Sequence, residues 1–352
     1  MTLHGTVHVV VPDGIDDPAR PSGGNVYDRR VCSGLSGLGW SVHEHAVPGS
    51  WPRPGPAART GLARALRGLP AQDVVLLDGL VASPAPDVLV PEAGRLRLVV
   101  LVHLPLGLHG PGAAAEKAVL TRAAAVVATS PWTRCALLER YPLHPQRLHV
   151  AEPGTDTAPV SAGSPSGGAL LCVGSVVPDK GHDVLVAALA AVSDLGWRCV
   201  CAGSLDRDPA FADAVRRQAR TGRIDDRLRM IGPRTGPALE AEYAAADVLV
   251  HASRAETYGM VVTEALAHGL PVVATRAGGL PQALGRAPDG SLPGVLVPPD
   301  DPGRLAGALR SWLGDTGLRE RLRGSARGRR GTLTGWATTA DEVSRVLQAV
   351  SP

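Results

Sequence analysis

Short apolar runs alternate with longer helical patterns along this chain of 352 residues, and this alternation constrains the fold more than any other feature. Segments with helical periodicity lie between the apolar runs, at residues 25–38, 61–68, 113–122 and 131–141. The apolar runs typical of buried strands are at residues 7–11, 73–78, 98–103, 124–129 and 148–151. Strands that alternate with helices predict a parallel sheet with helices on both faces.

The alternation restarts after residues 157–168, a stretch rich in Pro, Ser, Gly and Ala that we interpret as a linker. Strand candidates follow at residues 169–174, 197–203, 228–232, 247–251, 271–275 and 294–297. Helix candidates lie at residues 183–195, 209–221, 237–246, 262–268, 280–284, 302–313, 318–330 and 341–350. The sequence therefore predicts an α/β chain with two doubly wound, Rossmann-like domains, which bind ligands at the carboxyl ends of their strands.

The composition excludes several classes of partner. Lys and Arg total 36 and Asp and Glu total 33, so the net charge of +3 is too small to favour nucleic acid or a membrane surface. The longest apolar stretches fall short of the roughly 18 residues of a membrane span. The start lacks a signal-peptide pattern, and the five scattered cysteines are typical of reduced thiols. We therefore expect a cytoplasmic protein without a transmembrane segment.

Two glycines, Gly23 and Gly24, precede the first helix candidate after the first strand. Glycines at a helix N-terminus let backbone N–H groups approach an anion or a sugar hydroxyl, although an ordinary loop accounts for the same residues. The dinucleotide fingerprint G-x-G-x-x-G is absent after the first strand of either half, which argues against an NAD or FAD enzyme.

Lys180 lies in the loop after the first strand of the second half, directly before a helix candidate. A cation in this position can meet a phosphate held by the helix N-terminus. An isolated surface lysine is the ordinary alternative. Lys117 is the only other lysine in this arginine-rich chain, and this scarcity favours a functional role for Lys180.

Two carboxylates flank a candidate anion site in the second half. Glu256 falls in a loop after a strand, and Glu264 falls in the following apolar helix. Between them, Tyr258, Gly259 and Met260 mark the start of that helix, where free backbone N–H groups can bind a diphosphate. Carboxylates beside a diphosphate suit a nucleotide sugar, because its ribose and hexose hydroxyls donate hydrogen bonds to them. The alternative is one surface glutamate and one satisfied core glutamate.

These motifs resemble those of glycosyltransferase family 4, whose members are retaining enzymes with the GT-B fold. The resemblance rests on the spacing Glu256-x7-Glu264, the following E-A-L-A-x-G-L-P-V-V-A, and Ala277-Gly278-Gly279. Gly174 and Lys180-Gly181, the stretch of residues 101–105 around His103, Thr129-Ser130 and residues 153–156 add matches in the same order. The resemblance to this family implies an acceptor domain at residues 1–158, a donor domain at 168–335, and a terminal helix in 336–352 that packs back on the first domain.

The resemblance also implies roles for individual residues. Glu264 would bind the donor ribose, Glu256 the transferred hexose, and Lys180 the leaving diphosphate. Gly24 would lie near the donor phosphate or the acceptor, and His103 near the reaction centre. The remaining donor-binding candidates are Gly174, Ser175, Tyr258, Gly259, and the backbone amides of Met260, Val261 and Val262. The family usually has arginine where this chain has Ser175, so diphosphate stabilisation would rest more on Lys180 and the helix dipole, or on another arginine. A second departure is Gln282, where the family commonly has glutamate.

Other patterns are interpreted as structural. Asp206-Arg207-Asp208 spells D-x-D, a metal-binding string of another glycosyltransferase fold, but a divalent site needs more converging oxygens. Cys199 and Cys201 fit a buried strand better than a metal site. Ser130-Pro131 predicts a helix N-cap followed by proline at the first helical position. Six arginines between residues 319 and 330 spread around a helix and predict a solvated face.

We therefore expect a retaining hexosyltransferase that uses a UDP- or GDP-type nucleotide sugar as co-substrate, with no metal and no other cofactor. Preorganised N–H groups and Lys180 suffice to stabilise the leaving diphosphate. Two alternatives remain: a nucleotide-sugar 2-epimerase of the same fold, and a non-catalytic subunit that binds nucleotide sugars. The first would need no acceptor, and the second would bind without turnover.

Overall fold

The computed structural model of the protein describes residues 5–108, 110 and 112–351. The chain divides into two compact units. Unit 1 comprises Met1–Asp17, Ser22–Gly154 and Gly335–Pro352, and unit 2 comprises Pro18–Pro21 and Thr155–Thr334. Within the predicted first domain and terminal helix, residues 1–4, 109, 111 and 352 lie outside the described part of the chain.

The described part of unit 1 contains one sheet of six parallel strands, in the order β2-β1-β3-β4-β5-β6. The strand order reverses between β1 and β3, which pair with Val7 opposite Val74. A doubly wound sheet opens a ligand-binding crevice at such a reversal, beside the carboxyl ends of the strands. The strands are β1 (Gly5–Pro12), β2 (Trp40–Val47), β3 (Val74–Asp78), β4 (Arg97–Val102), β5 (Ala125–Ala128) and β6 (Leu148–Val150).

Helices cover both faces of this sheet, and an apolar core lies on each side of it. The helices between the strands are α1 (Gly23–Gly37), α2 (Pro56–Arg67), α3 (Gly79–Ala82), α4 (Pro86–Glu92), α5 (Ala113–Arg122) and α6 (Pro131–Arg140). Helix α6 begins as the sequence predicts, because the Ser130 hydroxyl accepts from the Thr133 amide at 3.0 Å and Pro131 occupies the first helical position.

Unit 2 repeats this architecture with the strand order β12-β11-β10-β7-β8-β9. The order reverses between β7 and β10, so the loops that follow these two strands are neighbours at one edge of the sheet. The strands are β7 (Ala169–Val173), β8 (Arg198–Ala202), β9 (Leu228–Met230), β10 (Val248–His251), β11 (Val272–Thr275) and β12 (Gly294–Val297). The helices are α7 (His182–Ala190), α8 (Pro209–Thr221), α9 (Gly236–Ala245), α10 (Met260–Ala267), α11 (Leu280–Leu284), α12 (Pro302–Gly314) and α13 (Thr316–Arg330).

The last helix, α14 (Trp336–Val350), belongs to unit 1 and packs against α1. A Cβ atom on Gly34 of α1 would lie 2.4 Å from Cβ of Ala340, so the glycine permits this close approach. The Trp40 indole N–H donates to the Ser344 hydroxyl at 2.8 Å. This contact joins the end of the chain to the start of β2.

The prediction of two doubly wound parallel sheets is confirmed. The elements that the sequence did not predict were missed for local reasons. The sequence pattern does not predict β2, an edge strand in which polar residues interrupt the apolar run. It also does not predict α3, which has only four residues, or α4, which contains Pro91. Among the helices in the described ranges, none is long and apolar enough to cross a membrane.

Candidate active site

Lys180 and Glu256 meet where the strand order of unit 2 reverses. Lys180 ends a single 3-10 turn after β7, and Glu256 lies in the loop after β10. The Lys180 Nζ donates to Glu256 Oε2 at 2.5 Å. The sheet topology thus brings together two predicted site residues that are 76 positions apart in the sequence.

Glycines allow the two loops to approach each other. Gly181 has a φ of +64°, and a Cβ atom there would lie 2.1 Å from the carbonyl oxygen of Ala252. Gly174 has a φ of +149°, and a Cβ atom there would lie 3.7 Å from the Lys180 side chain. The predicted site residue Ser175 lies next to it, and its carbonyl accepts from the Val177 amide at 2.9 Å. These positions keep side-chain bulk away from Lys180.

The Glu256 carboxylate is surrounded by groups that favour its charged form. His251 Nε2 lies 3.2 Å from Oε2, and the Ser253 hydroxyl lies 2.9 Å from the same His251 nitrogen. Burial acts to raise the pKa of Glu256, but Lys180 and His251 outweigh it and lower the pKa to about 2. Glu256 is therefore ionised at neutral pH, which suits a hydrogen-bond acceptor for sugar hydroxyls.

The Gly-Gly motif after β11 supports the backbone of Glu256. The Gly279 amide donates to the Glu256 carbonyl at 2.9 Å. Gly278 has a φ of +51°, and a Cβ atom there would lie 1.8 Å from the same carbonyl oxygen. The motif that carries part of the family resemblance therefore fixes the loop that presents Glu256.

The start of α10 forms a candidate anion site beside this loop. Gly259 caps the helix with a φ of +108°, and a Cβ atom there would lie 2.6 Å from the Leu280 side chain. The Val262 amide donates to the Gly259 carbonyl at 2.9 Å in the first turn, and its predicted role in diphosphate binding stays a prediction. The amides of Met260 and Val261, in the first turn, have no intrahelical partner. Tyr258, beside the cap, is buried.

Glu264 lies on α10 and is held by a residue that sequence analysis did not identify. The Tyr243 hydroxyl of α9 donates to Glu264 Oε2 at 2.7 Å. Burial, with the nearby charges of Glu240 and Asp156, raises the pKa of Glu264 against the opposing hydrogen bond from Tyr243. Tyr243 is itself stacked on His268 at 5.0 Å between ring centroids. No short-range pattern links Tyr243 to Glu264, since they lie on different helices.

Arg254 is a second residue that the sequence analysis did not single out. Its guanidinium donates to both oxygens of Asp183, at 2.9 and 2.7 Å, and to Asp300 Oδ1 at 2.5 Å. It also donates to the Pro178 carbonyl, and its amide donates to the Asp179 carbonyl at 2.8 Å. Arg254 therefore fixes the turn that carries Lys180, and its charge is already neutralised by two carboxylates.

In unit 1, the predicted site residues Gly24 and His103 contact each other. A Cβ atom on Gly24 would lie 3.3 Å from Cδ2 of His103, so a glycine leaves room for the imidazole. The His103 Nε2 lies 2.7 Å from Asp28 Oδ1. Burial acts to lower the pKa of His103, but the charges of Asp28 and Asp78 outweigh it and raise the pKa.

Two groups of side chains in the described ranges have atoms close enough to hold a metal ion: Cys172, His182 and Cys201, and Asp28, Asp78 and His103. Asp208 of the D-x-D string instead caps α8, where its Oδ1 accepts from the Phe211 amide at 3.0 Å. Cys199 and Cys201 are buried on β8, which confirms their predicted place in a strand.

Sequence comparison gives matches in both halves of the chain. The family described as Glycosyltransferase Family 4 matches residues 4–159, and the one described as Glycosyl transferases group 1 matches residues 167–315. The D-inositol 3-phosphate glycosyltransferase of Jonesia denitrificans is 32% identical over 254 residues, covering 66% of this chain and 58% of that protein. The same enzyme from Salinispora arenicola is 35% identical and covers 60% and 52%. The chain thus spans little more than half the length of these relatives.

Solved structures match almost the whole chain. Sucrose-phosphate synthase from Thermosynechococcus elongatus has a TM-score of 0.78 at 22% identity, covering 97% of this chain and 98% of that one. HepE from Anabaena, solved in complex with UDP-glucose, has a TM-score of 0.77 at 17% identity and covers 98% and 99%. These likenesses confirm the predicted GT-B fold.

Proposed function

The chain belongs to glycosyltransferase family 4, and from this premise we propose that it transfers a hexose from a nucleoside-diphosphate sugar to an acceptor with retention of configuration. The observation that carries the proposal is the cluster at the strand reversal of unit 2. There a cation, an ionised carboxylate and the start of a helix lie on adjacent loops. This combination suits a ligand with a diphosphate and neighbouring hydroxyl groups.

In this proposal each group of unit 2 has a separate task. Glu264 accepts hydrogen bonds from the donor ribose, and Glu256 accepts them from the hexose. The first-turn amides of Met260 and Val261, with Lys180, bind the diphosphate and stabilise the charge that develops on it as the glycosidic bond breaks. The loops around the diphosphate site are shaped by Gly174, Ser175, Tyr258 and Gly259. The amides and Lys180 need no metal ion to stabilise the diphosphate.

We further propose that unit 1 serves the acceptor, with His103 and Gly24 near the transferred sugar. UDP is the first donor nucleotide to test, because HepE was solved with UDP-glucose. D-inositol 3-phosphate is the first acceptor to test, because relatives that are 32% and 35% identical over the aligned residues act on it by name. The five free cysteines, four of them buried, suit a reducing cytoplasm.

Donor binding gives the most direct test. A nucleotide sugar at 100 times its dissociation constant should add about 2.7 kcal/mol of apparent stability in a thermal-shift panel. Glu264→Gln should then weaken nucleoside-diphosphate binding about tenfold, since hydrogen bonds to a charged group contribute about 1.5–3 kcal/mol. Glu320→Gln, at an exposed position of α13, is the matched control.

Calorimetry and product analysis decide the outcome. Unchanged affinity in Glu264→Gln would contradict the assignment of the ribose site. Transfer is established by NMR of the product, whose anomeric configuration should match that of the donor. Nucleotide binding without a product with any acceptor would instead favour a binding subunit, and an epimerised free sugar would favour the epimerase.

A further inference from the structure

Asp28, Asp78 and His103 form a buried cluster at the strand reversal of unit 1. Asp28 lies on α1, Asp78 ends β3, and His103 follows β4, and one ligand atom from each lies within 4.8 Å of the other two. Both aspartates are only 3% exposed. The crevice beside such a reversal is where doubly wound sheets bind ligands, so the cluster has the place of a functional site.

The hydrogen bonds of the cluster leave one buried oxygen unsatisfied. Asp28 Oδ1 is bonded to His103 Nε2 at 2.7 Å, but Asp28 Oδ2 has no hydrogen-bond partner among the described residues. Asp78 Oδ1 accepts from the Leu80 amide at 2.7 Å as the N-cap of α3. A buried carboxylate oxygen without a donor is costly, so the cluster requires a proton that the heavy atoms do not show.

The charges identify which group holds that proton. Two buried carboxylates cannot both ionise at low cost beside one imidazole. Burial and the negative charge of Asp28 raise the pKa of Asp78 to about 7. A protonated Asp78 has a hydroxyl to donate, and the unsatisfied Oδ2 of Asp28 is an acceptor.

Cys32 and Tyr27, the titratable side chains beside the cluster, are neutral at physiological pH. Cys32 lines the same internal space, and burial with the charges of Glu44 and Asp28 raises its pKa to about 12. The Tyr27 ring lies edge-on to His103 at 5.0 Å, and burial with the charges of Asp28 and Glu342 raises its pKa well above the usual value. The remaining lining residues are apolar: Val9, Val11, Val31, Leu76 and Leu101.

We propose that Asp28 is a positioning residue for His103, and that Asp78 donates a proton to Asp28 Oδ2 as a neutral carboxylic acid. Asp28 Oδ1 then accepts from His103 Nε2–H, which fixes the orientation of the ring. Nε2 is engaged by Asp28, so in this proposal Nδ1 is the nitrogen left to meet the substrate. The proton on this nitrogen, when the ring is charged, is available to a sugar hydroxyl or to developing negative charge.

This inference rests on the proposed function for the identity of the substrate, but its proton arrangement can be tested without turnover. NMR titration of the imidazoles in the full chain should show a raised pKa for His103. Asp28→Asn keeps an oxygen acceptor for Nε2–H but removes the charge, so the pKa of His103 should fall towards its usual value.

Asp78→Asn is the second variant, and it keeps the N-cap because asparagine caps helices as well as aspartate does. Its amide N–H₂ can donate to Asp28 Oδ2 as the neutral acid does. Coupled titration of Asp78 should give the wild-type His103 ring two apparent steps, and this variant should reduce them to one. A His103 titration that is the same in wild type, Asp28→Asn and Asp78→Asn would overturn the proposal.

Kinetics separate positioning from a merely structural role. Asp28→Asn should lower kcat for transfer about tenfold or more and leave KM for the donor near the wild-type value, because the ring loses the negative charge that favours its protonated form. Loss of activity on chelation, restored by Mg²⁺ in wild type but not in Asp28→Asn, would make the cluster a metal site and overturn the proposal. If wild type transfers no sugar, the proposed function fails, and the NMR titration still decides the proton arrangement.

Discussion

Lys180 has two partners in the proposed reaction, the Glu256 carboxylate and the leaving diphosphate. In the structure its ammonium group donates to Glu256, and during transfer it would also face the leaving diphosphate. An ammonium group has three donors, so it can hold the carboxylate and a phosphate oxygen together. Arg254 cannot take over this role, because its guanidinium is bound by Asp183 and Asp300.

Lys180→Ala should therefore lower kcat about 10²–10³-fold, the usual loss for one preorganised group that faces developing charge. Donor affinity should weaken less than kcat, since the negative charge grows only as the bond breaks. Side-by-side measurement of product formation and donor binding tests this. Lys117→Ala, at an exposed position of α5, is the matched control. Equal losses in binding and turnover would mean that Lys180 serves the ground state alone.

Glu256 also links the site to stability in acid. Its folded-state pKa of about 2 lies below the usual value of 4.5, so its contribution is present at neutral pH and is lost as the pH falls from about 5 to about 2. The difference corresponds to about 3 kcal/mol. Urea unfolding at several pH values should thus show a shallower acid loss in Glu256→Gln than in wild type. Parallel curves for the two proteins would contradict the ion pair.

The glycines of unit 2 show that a sequence motif can be recognised while the residue it contacts in the fold cannot. The Gly-Gly motif is visible in the sequence, whereas its contact with the Glu256 backbone appears only in the fold. Local patterns predict helices, strands and caps because those depend on near neighbours. The bond from Tyr243 to Glu264 depends on how two helices pack, and sequence periodicity carries no information about it.

The arginines of α13 illustrate the same limit, because the predicted solvated face includes the exposed Arg321 and Arg327 but not the buried Arg319. Arg319 is 6% exposed and donates to the carbonyls of Trp312 and Leu313, both at 2.9 Å. Arg330 donates to the carbonyls of Ala267 and Ala158. A guanidinium has five donors, so it can satisfy carbonyls at helix ends and loops. Charge alone therefore does not identify the exposed face of a helix.

Gly278→Ala should displace the Glu256 loop, because the added Cβ would meet a backbone oxygen at 1.8 Å in a left-handed conformation. We expect a loss of more than about 1 kcal/mol in stability, together with a fall in kcat. Gly307→Ala in α12 is the matched control, since nothing lies within 4 Å of its added Cβ and alanine favours helices. Denaturant unfolding and kinetics of both variants test this. A neutral Gly278→Ala would show that the motif does not hold Glu256.

At the scale of the whole molecule, the sequence predicts the fold class well and the site only in part. Two runs of strand–helix alternation suffice for two parallel sheets, since apolar strands of this length have few other solutions. The order of strands within each sheet cannot be predicted in the same way, because it follows from crossover connections that leave no local signal in the sequence. The reversal points between β1 and β3 and between β7 and β10 decide which loops meet, and only the structure identifies them. The sequence does not single out Asp28 and Asp78, because the strand reversal that brings them together leaves no local signal.

The proposed transfer reaction should survive removal of divalent metal ions. In the proposed mechanism, the first-turn amides of α10 and Lys180 supply the positive charge that a cation would otherwise provide. Turnover measured in EDTA should match turnover with added Mg²⁺ or Mn²⁺. The D-x-D string offers a matched test, since Asp208→Asn keeps the cap on α8 and removes the charge of a metal ligand. Activity that disappears with chelator, returns with Mn²⁺ and is lost in Asp208→Asn would show that the string binds a catalytic metal and that the proposed mechanism is wrong.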